Sequence, residues 1–438
     1  MIRRLFFFVF VLATLLVSCS DDDSFTTDRS HILSFSVDTL QMDTLFSTVP
    51  SATNTFWIRN YSGDGIRIQT ARLERGGQSG FRVNVDGSYL DPVTNNLEVR
   101  KGDSILVFVE ATTRETGMEE PQLVEDNLLL TLESGVVQRV NLRTWTWDAQ
   151  KIGTLRITGD TLIQSSRPLV VYDSIVVAEG AALRLQDTEL YFHDNAHLTV
   201  YGTLMASSCL FRGDRLDHMF DYLPYDRISG QWHGIRLLNP SHDNMLFDCE
   251  VRNAEDALLV DSCDLIMTLC VIHNCKGFGV EGRDADLTLD YCQITNCLAD
   301  CLLADGGVVT VNHSTIAQFY PYSAQRGPAL SFTTGHRGIL FDCRNTLVTG
   351  YERDVVMGEQ NDTTLTYGFF FENCLLRTDS ISDSKFVKDI IWETPKDSIE
   401  GKKHFRIIDE DNFYYDFTID SISPAFNRNI GRLAPFGT

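Results

Sequence analysis

The sequence predicts an all-β chain in which a β-sandwich precedes a right-handed parallel β-helix solenoid. Three observations carry this. Cys249-Glu-Val251-Arg-Asn253 recurs as Cys270-Val-Ile272-His-Asn274, as Cys292-Gln-Ile294-Thr-Asn296 and, more loosely, as Ser314-Thr-Ile316-Ala-Gln318. A period of about 22 residues belongs to solenoids, in which each unit buries its apolar face only against its neighbours. The units are also short, alternating, rich in β-branched residues and broken by Gly and Asn, which is strand grammar. Before about residue 150 the repeat is absent, and alternating strands follow one another at roughly 8–12 residues, as in sandwiches.

The chain starts with Arg3-Arg4 and an almost wholly apolar run from Leu5 to Val17. That run is too short to span a bilayer as a helix, and residues 1–18 read as a cleaved export signal. Leu16-Val17-Ser18-Cys19 resembles the lipobox of bacterial lipoproteins. The resemblance implies that Cys19 is acylated, heads the mature chain and ties it to a membrane. Residues 19–31 form an acidic tether, and Ser20-Asp21-Asp22-Asp23 resembles the surface-export signal of Bacteroidetes lipoproteins. An outer-membrane lipoprotein facing the cell surface is therefore expected, with the periplasmic face as the alternative.

Residues 32–149 should form the sandwich, with strands at Ile32–Val37, Thr55–Asn60, Ile66–Leu73, Phe81–Val85, Ser104–Ala111, Asn127–Leu132 and Val137–Trp145. Turn chemistry lies between them, as at Gly76-Gly77, Asp86-Gly87 and Lys101-Gly102-Asp103. The Cys–Trp–Cys core of antibody domains is missing. The pattern Trp57-Ile-Arg-Asn60, Gly65-Ile66, Leu73, Phe81 and Gly102-Asp-Ser-Ile-Leu-Val107 resembles the immunoglobulin-like modules that precede many bacterial surface domains.

Residues 150–378 should form the solenoid, and residues 379–438 its last rungs and a cap. Period-two spacing places Cys249/Val251, Cys270/Ile272 and Cys292/Ile294 on the inner face, stacked as columns. Asn253, Asn274 and Asn296 follow each pair; Asn tolerates the left-handed conformation of a tight corner and could bond from rung to rung. Beyond Cys19 there are ten cysteines. Several fall in the repeat, so thiols filling a ladder are expected rather than bridges. No Cys-x-x-Cys occurs, so neither a zinc knuckle nor a thioredoxin-type motif is indicated.

The net charge is −23 and the pI about 4.7. That balance argues against nucleic acid or an anionic membrane surface as partner, because both need clustered cations. Secreted β-helices commonly handle polysaccharides, and a hydrolase of this kind needs Asp residues on adjacent rungs as acid and base. A lyase needs carboxylates for Ca²⁺ and a basic side chain. Of the Asn-Thr-Asp, Asp-Asp, Gly-His-Gly and Arg-Ile-Lys set of polygalacturonases only Asp-Asp occurs, in the tether at Asp21–Asp23, and the Asp-Pro-His-Glu signature of alginate epimerases is absent; Gly335-His336-Arg337 comes nearest. No metal ligand set and no cofactor is indicated, Ca²⁺ included.

The densest polar segment, residues 212–234, lies between the Cys209 and Cys249 units, where the spacing is nearly double the period. It is an excursion from the solenoid, the place where such folds put binding surfaces. Asp214, Arg215, Asp217, Asp221, Tyr225, Asp226, Arg227 and Trp232 are its candidate sugar-binding residues: planar polar groups grip hydroxyls, and aromatic faces stack on the ring. A self-satisfied, salt-bridged lid is the alternative. Tyr320, Tyr322 and Arg326 belong to a second excursion of similar mixture. If the protein is an enzyme, Asp214 and Asp217 are the candidate carboxylates.

Arg212-Gly-Asp-Arg-Leu-Asp217, Gly230-Gln-Trp-His-Gly-Ile235 and Ser421-Ile-Ser-Pro-Ala-Phe426 resemble phrases of uncharacterised Bacteroidetes lipoproteins with a right-handed parallel β-helix. The resemblance implies fold and compartment, not activity. Asp-Ser/Thr-aliphatic triplets such as Asp160-Thr161-Leu162 and Asp173-Ser174-Ile175 resemble the O-glycosylation acceptor of exported Bacteroidetes proteins, and turn-then-strand grammar explains them equally. The functional expectation is a binding or scaffold module for a glycan or an envelope protein. The alternatives are a polysaccharide lyase or hydrolase, and a structural spacer.

Overall fold

The computed structural model describes residues 24–432; Cys19, its signal peptide and the start of the acidic tether lie outside the described residues. The chain forms two compact units that meet in sequence at Trp147/Asp148. Its described helical turns are short 3₁₀ segments, and the rest of the regular structure is β.

The first unit is a β-sandwich. One sheet runs Ser34–Phe35, Asn54–Arg59, Ser104–Ala111, Phe81–Val85, Ser88–Tyr89; the other runs Thr39–Phe46, Val137–Trp147, Gln122–Leu132, Ile66–Leu73, Val93–Val99. Inward residues alternate along most strands, with a change of phase within Thr39–Phe46 and Ile66–Leu73, and Ile58, Ile68, Val107, Leu130 and Leu142 are buried between the sheets. Ile66–Leu73, Phe81–Val85 and Ser104–Ala111 match the expected bounds. Thr39–Phe46 and Val93–Val99 were not anticipated. Thr39–Phe46 pairs parallel to Val137–Trp147, with an irregularity between Arg143 and Trp145.

The second unit is a solenoid wound from a 26-stranded parallel sheet. Its three faces repeat in chain order. The first-face inward ladder runs Phe211, Val251, Ile272, Ile294, Ile316, Val348, Leu376, each paired in register with the next. Its members are at most 1% exposed, as the repeat requires. The cysteines from Cys209 to Cys374 are free thiols. Contact with Cys249, reinforced by burial, pushes the Cys209 thiol far above the ordinary range. Burial, with contacts to Cys275 and Cys301, does the same to Cys297. Protonated thiols are inert fillers, not nucleophiles.

The corners follow the Asn expectation in conformation and depart from it in bonding. Asn253, Asn274 and Asn296 have φ of 62°, 58° and 55°. Their side chains do not form the rung-to-rung ladder. Asn253 Nδ2 instead donates outward to the carbonyls of Asp226 (2.9 Å) and Ile228 (3.0 Å). The amide ladder stands at another corner: Asn312 donates to Asp290 (3.0 Å), Asn345 to Asn312 (2.9 Å) and Asn373 to Asn345 (2.8 Å).

The C-terminal segment supplies further short strands at Val387–Lys388 and Ile391–Trp392. Its hairpin, Phe405–Asp409 with Tyr414–Ile419, lies along the flank. There Phe405, Phe417, Ile419 and Ile430 cover the outward side chains Ala317, Leu347 and Leu375 of the first face. Glu393, 3% exposed, fastens it: the carboxylate accepts from Gly401 N (2.6 Å), Thr349 Oγ1 (2.7 Å) and Arg377, and faces His404 Nε2 at 3.3 Å. The chain then runs back along the solenoid until Arg432 donates to the Leu269 carbonyl (3.2 Å).

The register gives a direct test. Ile272→Asp places an unpaired carboxylate in the apolar column and should cost about 4 kcal/mol or more. Thr288→Asp makes the same carboxylate on the outward face of a strand of the third face, where Thr288 is exposed, and should cost about 1 kcal/mol or less. Chemical denaturation of the two variants checks it; equal losses would refute the register.

Candidate functional site

Residues 212–234 leave the solenoid after the strand Leu210–Gly213 and rejoin it at Ile235–Leu238. Gly213, Gln231 and the Asn253 amide brace the point of departure and return. Gln231 Nε2 donates to the carbonyls of Tyr225 (2.5 Å) and Ile228 (2.7 Å). A β-carbon at Gly213 would lie 2.3 Å from Gln231 Oε1.

Most of the expected binding residues are spent on each other. Asp226 is held by Arg212 at 2.8 Å and Arg252 at 3.3 Å. Arg212 is 7% exposed, and its guanidinium lies 5.5 Å from the Tyr191 ring centroid. Arg215 grips both oxygens of Asp217 (2.7 and 2.6 Å) and sits 3.8 Å from the centroid of Tyr225. The Arg227 carbonyl accepts from the Tyr322 hydroxyl (2.6 Å). The Tyr320 and Ser229 hydroxyls share a hydrogen bond (2.7 Å), and Arg326 Nε donates to the Tyr320 carbonyl (2.6 Å). The two excursions are thus brought together on one flank. The C-terminal hairpin joins them there, with Phe413 stacked on Tyr322 at 5.7 Å.

The two candidate catalytic carboxylates have opposite environments. Asp217 is locked by its arginine. Asp214 is pushed above the usual carboxylate range by burial, although His193 Nδ1, 2.8 Å from its Oδ2, pulls the other way. Among the described residues, no group of three or more His, Cys, Asp or Glu is placed to hold a metal ion.

Trp232 corrects the expectation that it offers a stacking face. It is 0% exposed. Its ring lies flat on Phe192 (centroids 4.2 Å apart, planes 11°), its Nε1 donates to the Arg252 carbonyl (2.9 Å), and its backbone bridges to Ala254. It fills the corner where the excursion rejoins the solenoid. Arg252, next to the Val251 column, is likewise no free surface residue, since it reaches Asp226 and Glu250.

The most exposed rings of the excursion are two that flank the candidate Asp221. His218–Phe220 and Leu223–Pro224 form a small antiparallel hairpin. Phe220 and Tyr222 at its tip are 55% and 71% exposed, with Met219 beside them at 40%. The two rings are near-parallel, 5.7 Å apart and 12° between planes. Asp221 stands exposed between them. Ion pairs of Arg212, Arg215 and Arg252 tie the residues on either side of the hairpin, and its rings stand open to solvent.

His273 lies under the C-terminal hairpin, its ring 5.6 Å from that of Tyr415 and its Nδ1 2.9 Å from Thr295 Oγ1. Burial, with Arg227 and Arg252 nearby, lowers its pKa from 6.5 to about 3. The folded value lies below the unfolded one. The neutral imidazole therefore stabilises fully above pH 6.5, and that contribution is lost as pH falls toward 3. Acid should thus destabilise the solenoid over that window by a few kcal/mol, on the order set by such shifts. His273→Gln should flatten this part of the pH–stability curve, read by thermal unfolding at stepped pH.

Residues 171–321 match the family described as a right-handed β-helix region. A comparison with curated proteins found no match. Among solved structures, a family 123 glycoside hydrolase from Clostridium perfringens aligns at 8% identity and TM-score 0.19, over 27% of this chain and 26% of that one. The Agl-KA catalytic domain aligns at 11% identity and TM-score 0.27, over 74% of this chain and 70% of that one. The PapD-like domain 7 of human CEP192 aligns at 9% identity and TM-score 0.18, over 27% of this chain and 87% of that one.

Proposed function

We propose that this chain is a cell-envelope lipoprotein of Bacteroidetes type, anchored through Cys19 to the outer membrane and facing the cell surface. In this reading the immunoglobulin-like sandwich is a spacer and the β-helix is a non-catalytic module that binds a glycan. The observation that supports binding is the exposed, near-parallel pair Phe220 and Tyr222 on a hairpin flanked by the Arg212–Asp226–Arg252 and Arg215–Asp217 pairs. Aromatic rings open to solvent beside polar groups suit the C–H faces of sugar rings. A buried lid would need no such tip.

A binding screen over polysaccharides tests it. Phe220→Ala and Tyr222→Ala should each weaken binding of a hit by about tenfold, the scale of one aromatic stacking contact, and leave thermal stability unchanged. Trp232→Ala should instead cost about 3–5 kcal/mol of stability, because it empties a buried site. Undiminished binding in the Phe220/Tyr222 double variant would refute the reading.

The alternative is hydrolysis or elimination, favoured by the raised pKa of Asp214 beside His193. Sugar products from the purified wild type, lost in Asp214→Asn, would establish that activity in place of the binding module.

The anchor has its own test. Cys19→Ala should release the protein from the membrane fraction or leave its precursor unprocessed. A variant that is still cleaved at the same bond and still sediments with the outer membrane would rule the anchor out.

A further inference from the structure

The last turns of the solenoid contain an unfilled space that the regular repeat does not leave. The inward ladder of the second face passes from Phe332 to Gly358, its register partner on the next rung. Gly358 brings no side chain to the interior, and the strand Val356–Glu359 is the last of that face among the described residues. The third face continues above it with Tyr367, Phe369 and Phe371, then Val387, and the first face with Leu376 and Trp392. The walls thus outrun the floor. They border a pocket of about 130 Å³ that opens to solvent, lined by Phe332, Tyr367, Phe369, Phe371, Val387 and Trp392 and by the exposed Gly358 and Ile381.

Glycine is required for this arrangement. A β-carbon at residue 358 would lie 2.5 Å from Phe332 Cζ and 2.5 Å from Tyr367 Oη. Any side chain there would force both ring ends to shift. The lining rings also contact one another: Phe369 lies 5.3 Å from Phe332 and 6.1 Å from Phe371. They are held by packing rather than free to collapse inward.

We propose that this pocket is a binding site for one small aromatic molecule, of the size of a single substituted benzene ring. A space of about 150 Å³ in another protein holds one benzene ring, and the aromatic walls of this open pocket suit the same class. Quadrupole geometry favours a ring among rings, edge to face or offset, over an aliphatic chain of equal volume. The site is separate from the Phe220/Tyr222 tip and does not depend on the glycan reading.

The test uses the purified mature protein and 4-fluorotoluene as probe, followed by fluorine NMR. In the wild type the probe resonance should shift and broaden saturably, and the melting temperature should rise with probe concentration. Val387→Phe fills the pocket without touching the Gly358 backbone, and should weaken probe binding at least about tenfold while keeping the wild-type melting temperature or raising it. Gly358→Ala should also abolish binding; if that variant unfolds, Val387→Phe alone decides. An unperturbed probe signal at millimolar concentration would overturn the proposal. Equal binding by Val387→Phe would overturn it too, as would a concentration-dependent dimer that excludes the probe by seating a second copy over the opening.

Discussion

Inward side chains of the solenoid are buried by their counterparts one turn before and one turn after, and by the inward residues of the other faces. That nearest-neighbour stacking governs the rest of the molecule. It fixes the parallel register, because a one-residue slip would turn the Val251–Ile272–Ile294 column to solvent. It also confines length variation to corners, where the chain can leave and return without disturbing the ladders. Both polar excursions use the same corner, between the first and second faces, and both must re-enter at a fixed height. The re-entry is what Trp232 secures, stacked on Phe192 of the preceding turn. The excursion's freedom at its tip therefore rests on a rigid apolar plug at its base.

The elements legible in the sequence were those whose environment repeats. The first-face columns were readable because every rung asks the same thing of its first and third residues. Ser104–Ala111 was readable because alternation runs unbroken between clear turns, and Ile66–Leu73 because its apolar pairs Ile66/Ile68 and Ala71/Leu73 flank a single slip. Thr39–Phe46 was not, because Asp38-Thr39-Leu40 and Asp43-Thr44-Leu45 look like turn signals. The strand absorbs the second through the irregularity opposite Arg143 and Trp145. The same triplet does open strands elsewhere, at Ser104 and Thr161. Asp173-Ser174-Ile175 lies inside a strand, with Ser174 only 7% exposed.

The candidate site was legible as a place but not as a set of roles. Charge density located the excursion correctly. Composition could not tell which charges face each other, and Asp214 and Asp217 show why: the same residue type three positions apart meets burial and an imidazole in one case, and a bidentate guanidinium in the other. A lone Trp amid polar residues reads as a ligand surface, yet Trp232 is buried and the exposed rings of the excursion are Phe220 and Tyr222. Which is buried depends on where the chain rejoins the solenoid: Trp232 bridges to Ala254 of the next turn, and Phe220 lies in the separate hairpin. Asn253 was read as a corner residue, which it is, but its side chain also anchors the excursion.

The placing of the C-terminal hairpin follows from the same stacking logic. A parallel solenoid exposes two kinds of surface: outward faces, which are satisfied in hydrogen bonding, and a terminal edge, which is not. Covering the edge would seem the more urgent task, because open edges template aggregation. This chain instead spends its hairpin on the flank, over Ala317, Leu347 and Leu375, and fastens it with the buried Arg377–Glu393 pair. The edge is blunted by other means. Its last strands, Val387–Lys388 and Ile391–Trp392, are two residues each, and Asp389 between them turns at φ 57° with Lys388 adjacent. Short, twisted, charged edge strands offer a second chain little to pair with. An end protected in this way needs no plug of side chains, so the last turn can stay partly hollow while the solenoid remains a single folded unit.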